Sequence, residues 1–330
     1  GMKQATSAVD AVTDADLILG KLDPNNFAGG SIQLHADSSA EALVNVLGKK
    51  LDMNAQTAAF GLAEVVDENM ANAARVHAVE NGEDLSDYTM IAFGGAAPLH
   101  AGRLCEKLGV DRLLVPTGAG VGSAIGFLRA PFSFEANRSV YMKLSNFKPD
   151  VIKTLLTELQ DEATGFVRSC EETSEILSEF KVYMRYTGQG WEIPIALTVE
   201  QAMAPDAATF LNLFETDYAA LFGRTVDGMD VEITVWAVNA TTPSEKVAQI
   251  ALAQDAGPAE SSGTRALFDP ALAAVTDAQI VLRDRMTTGQ SVQGPAVVTE
   301  DETTIIVPTS RQVIAQPDGT IDVTTKGTTQ

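Results

Sequence analysis

Residues Thr89 to His100 read T-M-I-A-F-G-G-A-A-P-L-H. The run from Thr89 to Phe93 is β-branched and apolar, and it meets Gly94-Gly95 with no spacer. Two glycines at the end of a buried strand permit positive φ and let the backbone approach a ligand closely. Pro98 suits the first turn of a helix, where its missing N–H costs nothing. Strand, glycine turn and helix in this order restrict the region to an α/β layer. A ligand above such a turn meets bare backbone N–H groups at a helix start. Gly94, Gly95, Ala96 and Pro98 are therefore a candidate nucleotide site, with His100 just inside the helix. The same order of elements also arises for purely structural reasons, so the motif alone leaves both readings open.

The surrounding sequence extends the layer. Ala101–Leu108 continues the helix and Gly109 closes it. Asp111–Val115 is a second short strand, and Thr117–Gly126 a glycine-rich loop. Alternation of strand and helix predicts a mainly parallel sheet. Both glycine segments follow a strand, so they share a crevice if the strands are neighbours. Upstream, Thr13-Asp14 reads as the cap of a short helix over Ala15–Leu19. Asp14 and Asp16 read either as catalytic carboxylates or as capping and solvated residues. Residues 54–80 read as one long helix, with Phe60, Leu62, Ala63, Val66, Met70, Ala73, Ala74 and His77 recurring near the helical period. That phase places His77 in the core. A neutral ring is expected for His100, because a helix N-terminus disfavours imidazolium.

The character of the chain changes near residue 132. Phe132–Lys143 alternates like a strand, and Asp150–Phe180 reads as an amphipathic helix with an acidic wet face. Lys181–Tyr186 and Glu192–Leu197 read as a hairpin about Thr187-Gly188-Gln189-Gly190. Thr198–Phe222 is helical and Val231–Ala240 a strand. Residues 243–262 read as a linker or a long surface helix. From 263 onward short strands alternate with turns. The expected organisation is thus an α/β lobe over 1–131, an α+β domain over 132–242, a linker over 243–262 and a small all-β module over 263–330.

Composition narrows the function. The formal net charge of −21 argues against nucleic acid as a partner, since phosphate binding needs clustered lysine and arginine. No run of about 18 apolar residues exists, and no basic-then-apolar leader, so neither a membrane span nor a signal peptide is expected. Two cysteines without C-x-x-C spacing, Cys105 and Cys170, fit a reduced, cytoplasmic setting. Three scattered histidines make no metal site. No nucleophile elbow is present, so serine-hydrolase chemistry is not expected.

Several motifs together resemble the hydantoinase A / 5-oxoprolinase / acetone carboxylase β-subunit family. They are Phe93–His100, Val115-Pro116 with Gly120–Gly126, Thr13–Gly20, Arg185–Gln189 and Gly294–Val298, spread over nearly the whole chain. One departure is Ala97, where the family has a third glycine. The resemblance implies an actin-like ATPase half-lobe. It further implies an ATP-dependent hydrolase of cyclic amides such as hydantoins or 5-oxoproline, or a subunit of a related ketone carboxylase. ATP and Mg²⁺ are the implied cofactors, and Gly94, Gly95, Ala96, Pro98 and His100 the implied adenosine-side residues. The family's D-x-G-G-T-type phosphate loops are missing, and Gly1-Met2 reads as a processing scar. The expectation is a C-terminal piece that is inactive alone and partnered by an N-terminal lobe or a second subunit. No catalytic residue is assigned. Arg185 and Gln189 read either as partner contacts or as a salt bridge and a turn support.

Overall fold

The computed structural model describes residues 11–244, 247 and 249–327. Gly1-Met2 lies outside the described residues. The chain divides into two compact units, Gly1–Leu128 with Ala248–Gln330, and Arg129–Val247.

In the first unit, α1 (Ala11–Ile18), α2 (Ala36–Leu43), α3 (Lys49–Leu51) and the long α4 (Ala55–Asn81) precede β1 (Thr89–Ile91), α5 (Ala97–Leu108), β2 (Arg112–Val115) and α6 (Gly122–Arg129). Asn54 caps α4 by accepting the Thr57 N–H, and Gly82 ends the helix in the left-handed region that favours glycine. The buried stripe of α4 is Ala59, Ala63, Asp67 and Ala71, at four-residue steps. The predicted phase holds at Ala63, which is buried, and at Phe60 and Leu62, which pack against the same core, but fails at Met70, Ala73 and His77, which are exposed. Small residues let α1 pack closely, and His77 is exposed rather than in the core. The cap expected at Asp14 is also absent: α1 starts before it, and its carboxylate accepts from Ser39 Oγ at 2.5 Å.

β1 and β2 are parallel neighbours joined through α5, as the crevice argument required. The sheet as a whole is mixed rather than mainly parallel. β2 pairs antiparallel with the last strand of the chain. The reason is that the segment after 263 does not stand as a module of its own.

The second unit contains β3 (Ser133–Arg138), β4 (Met142–Lys143), α7 (Pro149–Cys170), β5 (Leu177–Tyr186), β6 (Ile193–Leu197), α8 (Val199–Met203), α9 (Ala207–Phe222) and β7 (Val231–Thr241). Its sheet runs β3-β7-β5-β6, with β4 also on β7, and every pairing is antiparallel. α7 lays Ile152, Leu156, Leu159, Ala163 and Val167 into a core with Phe180, Phe210, Phe214 and Trp236. The predicted helix to Phe180 overshoots. It stops at Cys170, and residues from Leu177 join the sheet. Likewise Pro205 separates α8 from α9 in what reads as one helical run.

The chain then returns to the first unit with β8 (Gly257–Pro258), β9 (Gly263–Asp269), β10 (Ala274–Leu282), β11 (Gln290–Gln293), β12 (Ala296–Thr299), β13 (Thr304–Val307), β14 (Arg311–Ala315) and β15 (Ile321–Thr325). One sheet runs β1-β2-β15-β14-β11-β8 and a second β13-β12-β10-β9. Arg112 reaches across the β2–β15 pairing and forks onto the buried Asp322 at 3.0 and 2.7 Å.

Candidate active-site pocket around His100

The glycine turn is held from two sides. Gly94, at φ +101°, donates its N–H to Ala119 O at 2.6 Å, which ties the turn to the second glycine loop. Gly95 O accepts from Thr303 Oγ1 at 2.8 Å, in the loop between β12 and β13. Ala97 is the first residue of α5 and needs no positive φ, so an alanine fits where the family has glycine. Pro98 sits in the first turn of the helix, as the sequence predicts.

His100 follows one residue after Leu99, buried against α1 and α4. Its Nε2 lies 3.1 Å from Asp16 Oδ2 and its Nδ1 2.9 Å from Asp67 Oδ1. Lys21 Nζ lies 2.8 Å from Asp16 Oδ1 and 3.5 Å from His100 Nδ1. All four residues are at most 6% exposed. An ionised carboxylate only accepts, so a ring with a carboxylate at each nitrogen donates from both and is an imidazolium. Burial works against that charge, yet the hydrogen bonds to Asp16 and Asp67 outweigh it and push His100 up to about 8. Burial works against Asp16 as well, but the His100 hydrogen bond and the Lys21 charge hold it below the usual carboxylate range. The neutral ring expected from the helix dipole is thus corrected. Two full negative charges at contact outweigh a partial positive one at the helix end. The cluster balances two cations against two anions, the condition under which buried charges persist.

Beside this cluster opens a cavity of about 690 Å³. Gly95, Ala96, Leu99 and His100 form one wall, Val12, Thr13 and Asp16 of α1 another. The segment from Leu22 to Gly29 and the loop from Glu300 to Thr304 complete it. Of the five residues singled out in sequence, Gly95, Ala96 and His100 line the cavity, whereas Gly94 and Pro98 do not. Sequence reasoning weighed Asp16 but missed Asp67 and Lys21. The signal for Asp67 was a carboxylate in phase with alanines on α4.

The other candidates resolve into supports. Arg185 Nε pairs with Glu232 at 2.7 Å, and Gln189 Nε2 donates to Tyr218 at 2.9 Å. Arg283, rather than its neighbours Asp284 and Arg285, is the buried residue of its turn, and it donates to Glu300, Val115 O and Gly319 O. Among the described residues no group of three or more His, Cys, Asp or Glu is arranged to hold a metal ion. No helix among them is long and apolar enough to cross a membrane.

Residues 6–136 match the hydantoinase/oxoprolinase family, and residues 145–317 match the hydantoinase/oxoprolinase C-terminal domain. The chain belongs to the hydantoinase/oxoprolinase family. It is 27% identical to caprolactamase subunit alpha of Pseudomonas jessenii, over 95% of this chain and 46% of that protein. It is 26% identical to the acetone carboxylase beta subunit of Xanthobacter autotrophicus, over 92% of this chain and 44% of that one. The crystal structure of the ATP-dependent caprolactamase from Pseudomonas jessenii superimposes with a TM-score of 0.72, at 26% identity, covering 95% of this chain and 46% of that one. The mixed α/β architecture with several sheets is thus that of the family. This hydantoinase/oxoprolinase chain spans less than half the length of these relatives.

Proposed function

We propose that this chain is the C-terminal share of an ATP-dependent hydrolase of cyclic amides, and that the His100 pocket is its part of the ligand site. The observation that carries the reading is the pocket itself. The family's glycine turn lines a roomy cavity together with Asp16 and His100, the two members of a buried, charge-balanced His100–Asp16–Asp67–Lys21 cluster that reach it. Relatives named as caprolactamase and as ATP-dependent support the cyclic amide and the nucleotide. In this reading the first unit is half of an actin-like lobe pair, and Gly95 and Ala96 face the adenosine.

The fit of the cofactors divides along the molecule. A nucleoside suits the cavity, whose glycine turn offers open backbone and whose polar groups are mostly acceptors. The phosphates and Mg²⁺ do not suit the described residues, because no lysine or arginine lines the cavity and no metal-holding cluster exists. Phosphate contacts then fall to an N-terminal lobe or a second subunit. When bound there, ATP would supply the activation that makes an unactivated amide C–N bond cleavable. The 26% identity to an acetone carboxylase subunit supports a second reading, in which a ketone replaces the amide and the chain serves mainly in assembly.

Calorimetric titration with adenosine tests the proposal. Binding is expected, and Gly94→Val, which forces a β-branched side chain into φ +101°, is expected to abolish it while circular dichroism stays native. Binding that survives the substitution overturns the placement. The chain alone is expected neither to hydrolyse ATP nor to open a ring, and ATP-dependent release of an N-carbamoyl amino acid by it refutes the division of labour.

A further inference from the structure

The cavity offers a ligand many acceptors and no cationic side chain on its surface other than the buried His100. Asp16, Asp23, Glu300, Asp301 and Glu302 line it. Three of these are matched: Asp16 by Lys21 and His100, Asp23 by Arg265 Nη2 at 3.1 Å, and Glu300 by Arg283 Nη1 at 3.0 Å. Asp301 and Glu302 are exposed and carry no ion pair among the described residues.

The loop that holds these two charges is packed in place. A Cβ on Gly120 would lie 2.4 Å from Glu302 Cβ and 2.9 Å from its carbonyl oxygen, so Glu302 rests directly on glycine backbone. Next to it, Thr303 is buried and bonded to Gly95 O. The backbone that carries the two unmatched charges is therefore held in the cavity wall.

Asp16 supplies the opposite quality, a defined attraction. Each carboxylate oxygen has two lone-pair directions. Lys21 Nζ lies 2.8 Å from Oδ1 as an ion pair only, Oδ1 has no hydrogen-bond partner among the described residues, and His100 takes one direction at Oδ2 at 3.1 Å, which leaves acceptor capacity on a residue that lines the cavity. With two buried cations against it, Asp16 is a weak base and a strong acceptor, suited to holding a proton donor rather than to removing its proton.

We infer that the cavity selects the uncharged, hydrogen-bond-donating heterocycle of a ligand, with Asp16 as its buried acceptor and with Asp301 and Glu302 turning phosphate away. The inference rests on the reading above that this cavity is a ligand site. A nucleoside and a cyclic amide share the chemistry: each presents N–H or O–H donors on a neutral ring.

The test is calorimetry on the intact chain with adenosine, with ADP in Mg²⁺-free buffer, with hydantoin and with 1,3-dimethylhydantoin. At least one neutral heterocycle is expected to bind, and ADP to bind about tenfold or more weaker than adenosine, because its phosphates meet like charge on Asp301 and Glu302. Asp301→Asn combined with Glu302→Gln, two exposed changes that leave the core intact, is expected to close most of that gap, as is raised salt. Hydantoin, if it is the occupant, is expected to lose binding on dimethylation, which removes its donors without altering the protein. Adenosine binding alone identifies a nucleoside seat, hydantoin binding alone a cyclic-amide seat. The latter upholds this inference while overturning the adenosine placement. ADP binding as tight as or tighter than adenosine, unchanged in the double variant, overturns this inference and leaves the adenosine placement standing. No binding of either heterocycle to the folded chain overturns both.

Discussion

Replacing Asp67 by Asn removes one of the two carboxylates that clasp His100 while keeping the side chain's shape and an acceptor oxygen. The effect is predicted to depend on pH. His100 titrates near 6.5 in an unfolded chain and at about 8 in the fold. At about 1.4 kcal/mol per pH unit, that difference is worth about 2 kcal/mol of stability. The folded value is the higher one, so the contribution is complete below pH 6.5 and is lost as the pH rises through 8. Asp67→Asn is therefore expected to cost about 1 to 2 kcal/mol near pH 6 and clearly less near pH 9. Urea titrations of both proteins at the two pH values measure this directly. Both tryptophans, Trp191 and Trp236, belong to the other unit, so circular dichroism is a better probe than fluorescence. The chain's three histidines also permit an NMR titration in which His100 is the ring that moves in the variant. An equal loss of stability at both pH values, or a wild-type His100 that titrates at or below 6.5, refutes the imidazolium cluster.

Two further outcomes are expected. Gly120→Ala puts a methyl 2.4 Å from Glu302 Cβ, and overpacking of this kind costs about 1–3 kcal/mol, so its melting temperature falls; an unchanged melt contradicts the close packing of the two loops. Cys105 is buried and burial pushes its thiol up to about 11, while Cys170 is exposed, so a maleimide should label Cys170 alone in the native chain and both cysteines in urea.

The sequence was most readable where structure is made locally. Gly94-Gly95, Pro98 and Gly109 punctuate a strand, a turn and a helix within twenty residues, and the parallel β1–β2 pair follows from them. Reading failed where the decisive partner is remote. Arg112 carries no mark showing that it will meet Asp322 across a sheet, and the C-terminal strands looked self-sufficient because each was read alone. On α4 the pattern finds Ala63 and, packed beside it, Phe60 and Leu62, but it passes over Ala59 and Ala71, which face inward because close helix packing favours small residues there. Asp67 belongs to that inner stripe, and with it went the charge of His100. The helix dipole is a local argument, and it lost to carboxylates brought in from α1 and α4. Glu171–Ile176 shows the same limit, since acidic helical spacing continued past the point where β5 is claimed by β7.

The pairing of β2 with β15 also sets an order of events during synthesis. The unit Arg129–Val247 is continuous in sequence, and all the strands of its sheet have emerged once β7 is made. The first unit must hold β1, β2 and their helices without their sheet neighbours until Ile321–Thr325 leaves the ribosome, some two hundred residues later. Long-range closure of that kind is slow, and an unpaired β2 edge is open to wrong partners in the interval. Domain insertion here means that the unit Arg129–Val247 matures first and the unit that flanks it in sequence last.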